Sequence, residues 1–260
     1  MKQDKRSPIT DKPLRNPGQS LEKRRDDLLF DRVLAPIMMA FMLAWLAGTE
    51  WWYYFNPQTR NPTLITVLAA ISLAYAAFRF WRTRPELKQL RQGIEGEKAV
   101  GQFLEKLREN GYQIFHDLIG DNFNVDHVLI GSAGIFTIET KTISKPSRGE
   151  VKIKFDGETI QINGVAMDRN PVRQAHAQAN WLKKILSEST GQELSVHPVV
   201  LFPGWFIEQK QGTRNKMWIL EPKALPKFLE NAPSVLSVDE IKMVSGHLSR
   251  FIRNQEKLNK

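Results

Sequence analysis

The stretch from residue 125 to residue 142 constrains this chain more than any other. Two apolar, β-branched runs, 125–130 and 135–142, flank Gly131-Ser132-Ala133-Gly134, which reads as the turn of a β-hairpin. A loop centred between Ser132 and Ala133 sets Gly131 against Gly134 and, stepping outward, Asp126 against Glu139. Side chains alternate between faces, so Glu139 and Lys141 share one face and Asp126 joins them from across the ladder. The opposite face, His127, Leu129, Phe136 and Ile138, is also largely apolar, which places the hairpin in the centre of a sheet covered on both sides. Ionised groups in such a place are costly unless paired or metal-bound. The end of this hairpin is therefore a candidate site.

Residues 33–49 are uncharged, and Trp51-Trp52-Tyr53-Tyr54-Phe55 follows after Glu50; residues 61–78 form a second uncharged run, ending in Arg79-Phe80-Trp81-Arg82. With its aromatic flank, each run approaches the ~20 residues that a ~30 Å hydrocarbon core requires. The tryptophans and tyrosines suit the headgroup region. The pattern predicts two transmembrane helices, over about 33–55 and 61–81, forming a hairpin in a lipid bilayer. The net charge of +9 is concentrated around them. Residues 1–32 carry nine Lys/Arg against six Asp/Glu, and residues 79–92 carry five against one, whereas residues 93–260 are near neutral with 22 basic and 20 acidic residues. By the positive-inside rule both termini are cytoplasmic, the expectation for a multi-pass protein of a bacterial inner membrane. The basic balance reports topology first and attraction to nucleic acid second. There is no cysteine, which excludes disulfides and thiolate metal sites, and the five histidines lack zinc-ligand spacing.

The remaining segments divide as follows. Residues 1–32 read as a basic, polar arm running into a short charged helix, and 82–92 as a linker continuing the second apolar helix. A helix opens at Gly93-Ile94-Glu95-Gly96-Glu97 and ends at Asn110-Gly111, with the stripe Val100, Phe103, Leu104 and Leu107. Glu97 falls on that inward stripe, and the glycines at 93, 96 and 101 permit close approach to a sheet. Asp156-Gly157 predicts a two-residue hairpin turn between 149–155 and 158–162. Asn170-Pro171 starts a helix as N-cap and first residue. Residues 196–202 read as a strand, and 206–260 as a helical extension whose second helix opens with a Ser237…Glu240 capping box.

These motifs together resemble the nuclease-related domain (NERD), a branch of the PD-(D/E)xK nuclease superfamily. The residues that carry the resemblance are Gly-x-x-Gly-Glu before an amphipathic helix, Val-Asp-His-Val-Leu-Ile-Gly…Gly-Ile-Phe-x-Ile-Glu-Thr-Lys, and Asn-Pro-Val-x-Gln-Ala, across about 93–205. The resemblance implies an α/β fold, a central mixed β-sheet flanked by helices (restriction-endonuclease-like), here preceded by the transmembrane hairpin. It also implies a divalent-metal phosphodiesterase centre. Carried over by position, the helix carboxylate is Glu97, the first strand acid Asp126, the second Glu139, the lysine Lys141 and the glutamine Gln174. Val125 stands where the superfamily pattern has proline.

The residue types suit that chemistry. Phosphodiester hydrolysis needs a cation to neutralise phosphate and activate water, and Mg²⁺ takes one or two carboxylates with water and substrate completing its shell. Asp126 and Glu139 are the expected ligands of Mg²⁺ or Mn²⁺, with Glu97 acting through water. Lys141 would orient water or stabilise developing charge, and Gln174 would bond the lysine or the phosphate. The expectation is a membrane-anchored nuclease whose partner is nucleic acid, DNA ahead of RNA. The alternative is a non-catalytic module of the same fold that binds nucleic acid or a protein at the bilayer.

Overall fold

The computed structural model describes residues 14–56, 61–120, 123–145, 152–167, 170–209 and 217–258, with side chains through residue 255. The arm before residue 14, Arg60 between the two apolar runs, and the 146–151 stretch with Arg148 lie outside the described residues. The chain divides into two compact units, Ser20–Gly93 and Ile94–Lys260, the latter joined by Met1–Gln19.

The first unit is helical. α1 (Gln19–Leu29) passes through one π-helical turn (Phe30–Leu34) into α2 (Ala35–Phe55). Pro36 lacks the N–H that would continue the α ladder, and the wider turn lies directly before it. α3 spans Thr63–Glu105 without a break, so residues 82–92 continue the second apolar helix as expected, with Pro85 inside it. α2 and α3 each contain a stretch long and apolar enough to cross a membrane. Small residues, Ala40, Ala47, Ala69, Ser72 and Ala76, are the buried ones, while Phe41, Trp45, Leu64, Ile71 and Phe78 are exposed. Trp51 Nε1 donates to Thr66 Oγ1 at 2.9 Å, and Arg24 and Arg32 both reach Glu86.

The second unit is built on two mixed sheets. Its strands are β1 (Gln113–Ile119), β2 (Asn124–Gly131), β3 (Gly134–Thr140), β4 (Lys152–Phe155), β5 (Ile160–Ile162), β6 (Val165–Ala166), β7 (Val196–Leu201), β8 (Phe206–Gln209) and β9 (Trp218–Leu220). The larger sheet runs β1-β2-β3-β7-β9, antiparallel among the first three and parallel thereafter; the smaller runs β6-β5-β4-β8. The hairpin register is the one read from the turn, with Gly131 opposite Gly134 and His127 opposite Ile138. Both faces are covered, as the two apolar faces of the hairpin require. One face packs Ile114, Leu129, Phe136 and Ile138 against Val100 and Leu104 at the end of α3, against Leu107 in the 3₁₀ turn that follows it and against α5 (Leu225–Glu230). The other packs Val128, Ile130 and Ile135 against Leu182 and Leu186 of α4 (Pro171–Thr190) and Val244 and Leu248 of α6 (Val238–Leu258).

Two expectations need correction. Residues 206–258 are not a separate helical extension: β8 joins the small sheet beside β4, and β9 is the edge strand of the large sheet beside β7. Trp218-Ile219-Leu220 is too short a run to announce itself as a strand. Asp156-Gly157 does not make a two-residue turn, because Phe155 pairs with Ile160. The Asp156 side chain instead accepts from the N–H groups of Glu158 and Thr159 and from the Thr159 hydroxyl, holding a wider loop. The two-residue turn is at Asn163-Gly164, both with positive φ (52° and 81°), between Ile162 and Val165. The helix ends were legible. Gly111 closes the 3₁₀ turn after α3 at φ 82°, Asn170 Oδ1 accepts from Val172 N–H, and Ser237 and Glu240 cap α6 reciprocally.

Candidate functional site

β2 and β3 part company beyond His127 and Ile138. Where a strand carbonyl would continue the ladder, the Asp126 carboxylate accepts the Thr140 N–H at 2.6 Å. Strict alternation also fails here. Val125 and Val128 lie in the same core, as do Phe115 and Leu118 on β1. Between the latter pair stands Asp117 with φ 50°, a left-handed backbone that costs a non-glycine residue on the order of 1 kcal/mol. The β1–β2 register steps from His116 opposite His127 to Leu118 opposite Val125, which sets Asp117 across from Asp126.

Glu139, on β3, is 3% exposed, and both its oxygens are occupied. Lys141 Nζ and Gln174 Nε2 donate to Oε1 at 2.5 and 2.8 Å, and Gln178 Nε2 donates to Oε2 at 2.5 Å. Lys141 Nζ also donates to Gln174 Oε1 at 3.0 Å, closing a triangle of lysine, acid and amide. The Asn170 cap and Pro171 fix the start of α4 and so place Gln174 in its first turns. Glu97 arrives from α3, 8% exposed. Gly96 is what lets the helix come so close, since a Cβ there would stand 1.6 Å from Thr142 Oγ1.

The electrostatics follow from crowding acids out of water. Burial, then the Asp117 and Glu139 carboxylates, push the Glu97 carboxyl up to about 8, against the pull of Lys141 and the Gly18 N–H. Burial, then Glu139 and Glu97, push Asp126 well above the usual carboxylate range, opposed by the Thr140 N–H and Lys141. Mutual repulsion of this kind shows that Glu97, Asp126 and Glu139 share one electrostatic environment, with Lys141 among them.

All five residues picked from sequence thus meet at one end of the hairpin. Two further groups went unnoticed. Gln178, 1% exposed, donates from one nitrogen to Glu139 and to Asn124 O at 2.8 Å; its signal was the four-residue step from Gln174 on the same helix face. Asp117 Oδ2 accepts from two Arg15 donors, Nε at 2.9 Å and Nη2 at 2.5 Å, and no local pattern links residues 102 positions apart. His127 lies on the other face, fully buried, with Nδ1 2.8 Å from His116 Nδ1; His116 Nε2 in turn meets Glu105 Oε1 at 2.8 Å.

The donor set suits a hard divalent cation in kind: buried carboxylate oxygens from a helix and two strands, short of positive charge. Its arrangement is drawn in on itself. The Lys141 ammonium and two amides take up Glu139, and among the described residues no three His, Asp or Glu side chains form a group ready to hold a metal. Mg²⁺ is commonly held by one or two carboxylates with water, and Asp126 and Glu139 are the carboxylates here that such a site would draw on.

Comparison with known proteins agrees with the motifs. Residues 92–203 match the nuclease-related domain family. An uncharacterized protein of Bacillus anthracis is 36% identical over 55 residues, which is 19% of this chain and 26% of that protein, so the chain matches about a quarter of the relative's length. No solved structure matches the chain.

Proposed function

Residues 92–203 carry a nuclease-related domain, and on that premise we propose that the chain is a nuclease, held at a bacterial inner membrane by α2 and α3, that hydrolyses phosphodiester bonds in DNA with Mg²⁺ or Mn²⁺. The observation that supports this most directly is the Lys141 ammonium, held between Glu139 and Gln174 beside three buried acids. Asp126 and Glu139 would hold the cation, with Glu97 contributing through water; when bound, it supplies neutralisation of the phosphate and a lowered pKa for water.

The chain's own residues would do the rest. An ammonium has three hydrogens; two of those on Lys141 go to Glu139 and Gln174, and the third would reach the attacking water or a phosphate oxygen. Gln174 keeps Lys141 from swinging out to solvent. Gln178 holds the plane of the Glu139 carboxylate, so that acid presents the same edge in every molecule. Burial of these groups strengthens each contact and limits stray water.

A second reading has its own support. The residues after 92 are nearly neutral in charge, whereas tight binding to phosphate backbones relies on basic surface, and both Glu139 oxygens are already engaged. A non-catalytic module that binds nucleic acid or protein at the membrane would show both features. Cleavage assays of the full chain in detergent micelles separate the two, using double-stranded DNA, single-stranded DNA and RNA with Mg²⁺, Mn²⁺ or chelator. Metal-dependent cleavage abolished by Lys141→Ala supports the nuclease; no cleavage of any substrate leaves the binding module.

A further inference from the structure

Residues 14–18 lie outside the segment that matches the nuclease-related family, yet they run along the Glu97 helix as a strap. Arg15 fastens its start to Asp117 by two N–H groups that share Oδ2, with the arginine side chain 11% and the aspartate 2% exposed. Pro17 lies on α3 at Gly101, where a Cβ would stand 2.4 Å from Pro17 Cγ and 2.8 Å from its Cβ. Gly18, at φ 74°, packs on Ile94 and Glu97, and its N–H donates to the Glu97 carboxylate. Leu14 packs into the core beneath α4 and α6. The strap therefore touches α3 at 94, 97 and 101, one face of about two turns.

We infer that residues 14–18 are a working part of the acidic site, with Arg15 and Gly18 as positioning residues that hold Asp117 and Glu97 in place for phosphodiester cleavage. The inference rests on the nuclease reading above. Four carboxylates, Asp117, Asp126, Glu139 and Glu97, crowd this end of the sheet, and Lys141 answers for one of them. Arg15 is the second cation, at the far edge. Removing it breaks a buried ion pair on a left-handed backbone, and breaking such a pair from one side is destabilising at that spot. Glu97 has a long side chain with several rotamers, and the Gly18 N–H selects one. The bonds to Asp126, Glu139 and Lys141 come from Thr140, Gln174 and Gln178 rather than from the strap, so the strap braces the acids without stopping the site.

The test uses the full chain in detergent micelles. Gly101→Ala pushes Pro17 off the helix while changing no acid, and the preference of helices for alanine over glycine offsets part of the cost of that displacement. Arg15→Gln removes the cation, and Arg15→Lys returns the charge. Three quantities are measured: Mn²⁺ affinity by electron paramagnetic resonance of the free ion, kcat and KM for DNA cleavage, and the melting temperature. Gly101→Ala and Arg15→Gln should weaken Mn²⁺ binding and lower kcat by ~10–100-fold, the usual effect of losing a partner of a ligand. KM for DNA should stay as in the wild type, the melting temperatures should show both variants folded at the assay temperature, and Arg15→Lys should recover part of the loss. If the wild type binds Mn²⁺ and cleaves, and both variants match it, the strap is structural only and the nuclease reading stands. Faster cleavage by Gly101→Ala would make the strap a cover and overturn the inference. A wild type that neither binds Mn²⁺ nor cleaves removes the nuclease reading and this inference with it.

Discussion

Replacing Glu97 by glutamine isolates the energetic penalty of the acidic cluster. Glutamine keeps the shape and can still accept the Gly18 N–H, but it carries no charge. In the wild type the Glu97 carboxyl is raised from 4.5 to about 8 by burial and by Asp117 and Glu139. The folded state therefore binds more protons than the unfolded state between those values, and stability falls as pH rises through that window. Each pK unit is worth 1.36 kcal/mol, so the loss across the window is on the order of 5 kcal/mol. Glu97→Gln should match the wild type near pH 4.5, pull ahead steadily from pH 5, and be more stable by several kcal/mol above pH 8. The assay is urea unfolding of the full chain in micelles with chelator present, followed by the fluorescence of buried Trp205, at half-unit steps of pH. Parallel stability curves for the two proteins across that range would refute the reasoning, since Glu97 would then ionise as freely folded as unfolded.

Asp126→Asn relieves repulsion and removes a ligand, so it should melt at or above the wild-type temperature in chelator and gain little from Mn²⁺, whereas ~100 times the dissociation constant stabilises the wild type by ~2.7 kcal/mol; thermal scans with and without Mn²⁺ decide it. Lys141→Ala and Glu139→Gln should each lower kcat by ~10²–10³ with the fold intact, measured by cleavage rate and circular dichroism. Gln178→Ala should cost ~10-fold in cleavage by freeing the Glu139 carboxylate, with KM for DNA unchanged. A protease site inserted after Asn56 should be cut from the periplasmic side and one at the C-terminus only after the cells are opened, which labelling of intact cells would contradict if the C-terminus were accessible.

What could be read from the sequence was local. The hairpin register followed from one turn and two alternating runs, and with it the meeting of Asp126, Glu139 and Lys141. Glu97 declared itself by sitting on the apolar stripe of its helix. Alternation was the wrong guide at Asp126 itself, because the strands splay there and the side chain bonds backbone, which a strict two-residue period does not allow for. Arg15, Asp117 and β9 were hidden for a common reason: each is placed by a partner far away in sequence. Gln178 was visible in principle, four residues past Gln174, but a glutamine on a helix reads as solvated until its partner is known.

The two histidines behind the hairpin have a consequence of a different kind. Arg108, then burial working against it and His116 working with it, leave the Glu105 carboxyl below its ordinary range, so it is ionised and only accepts. Burial pushes His116 down and His127 much further down, so both rings are neutral at pH 7 and each carries one hydrogen. His116 spends its hydrogen on Glu105 through Nε2 and turns a lone pair inward at Nδ1. To close the 2.8 Å contact, His127 must carry its hydrogen on Nδ1, leaving Nε2 as a bare lone pair in the interior. A carboxylate at the protein surface thus dictates the tautomer of a ring at the centre of the fold. A proton added at His116 Nδ1 would set two N–H groups head to head across that contact, and one added at His127 Nε2 would be a buried charge facing no acceptor, so burial keeps both rings neutral.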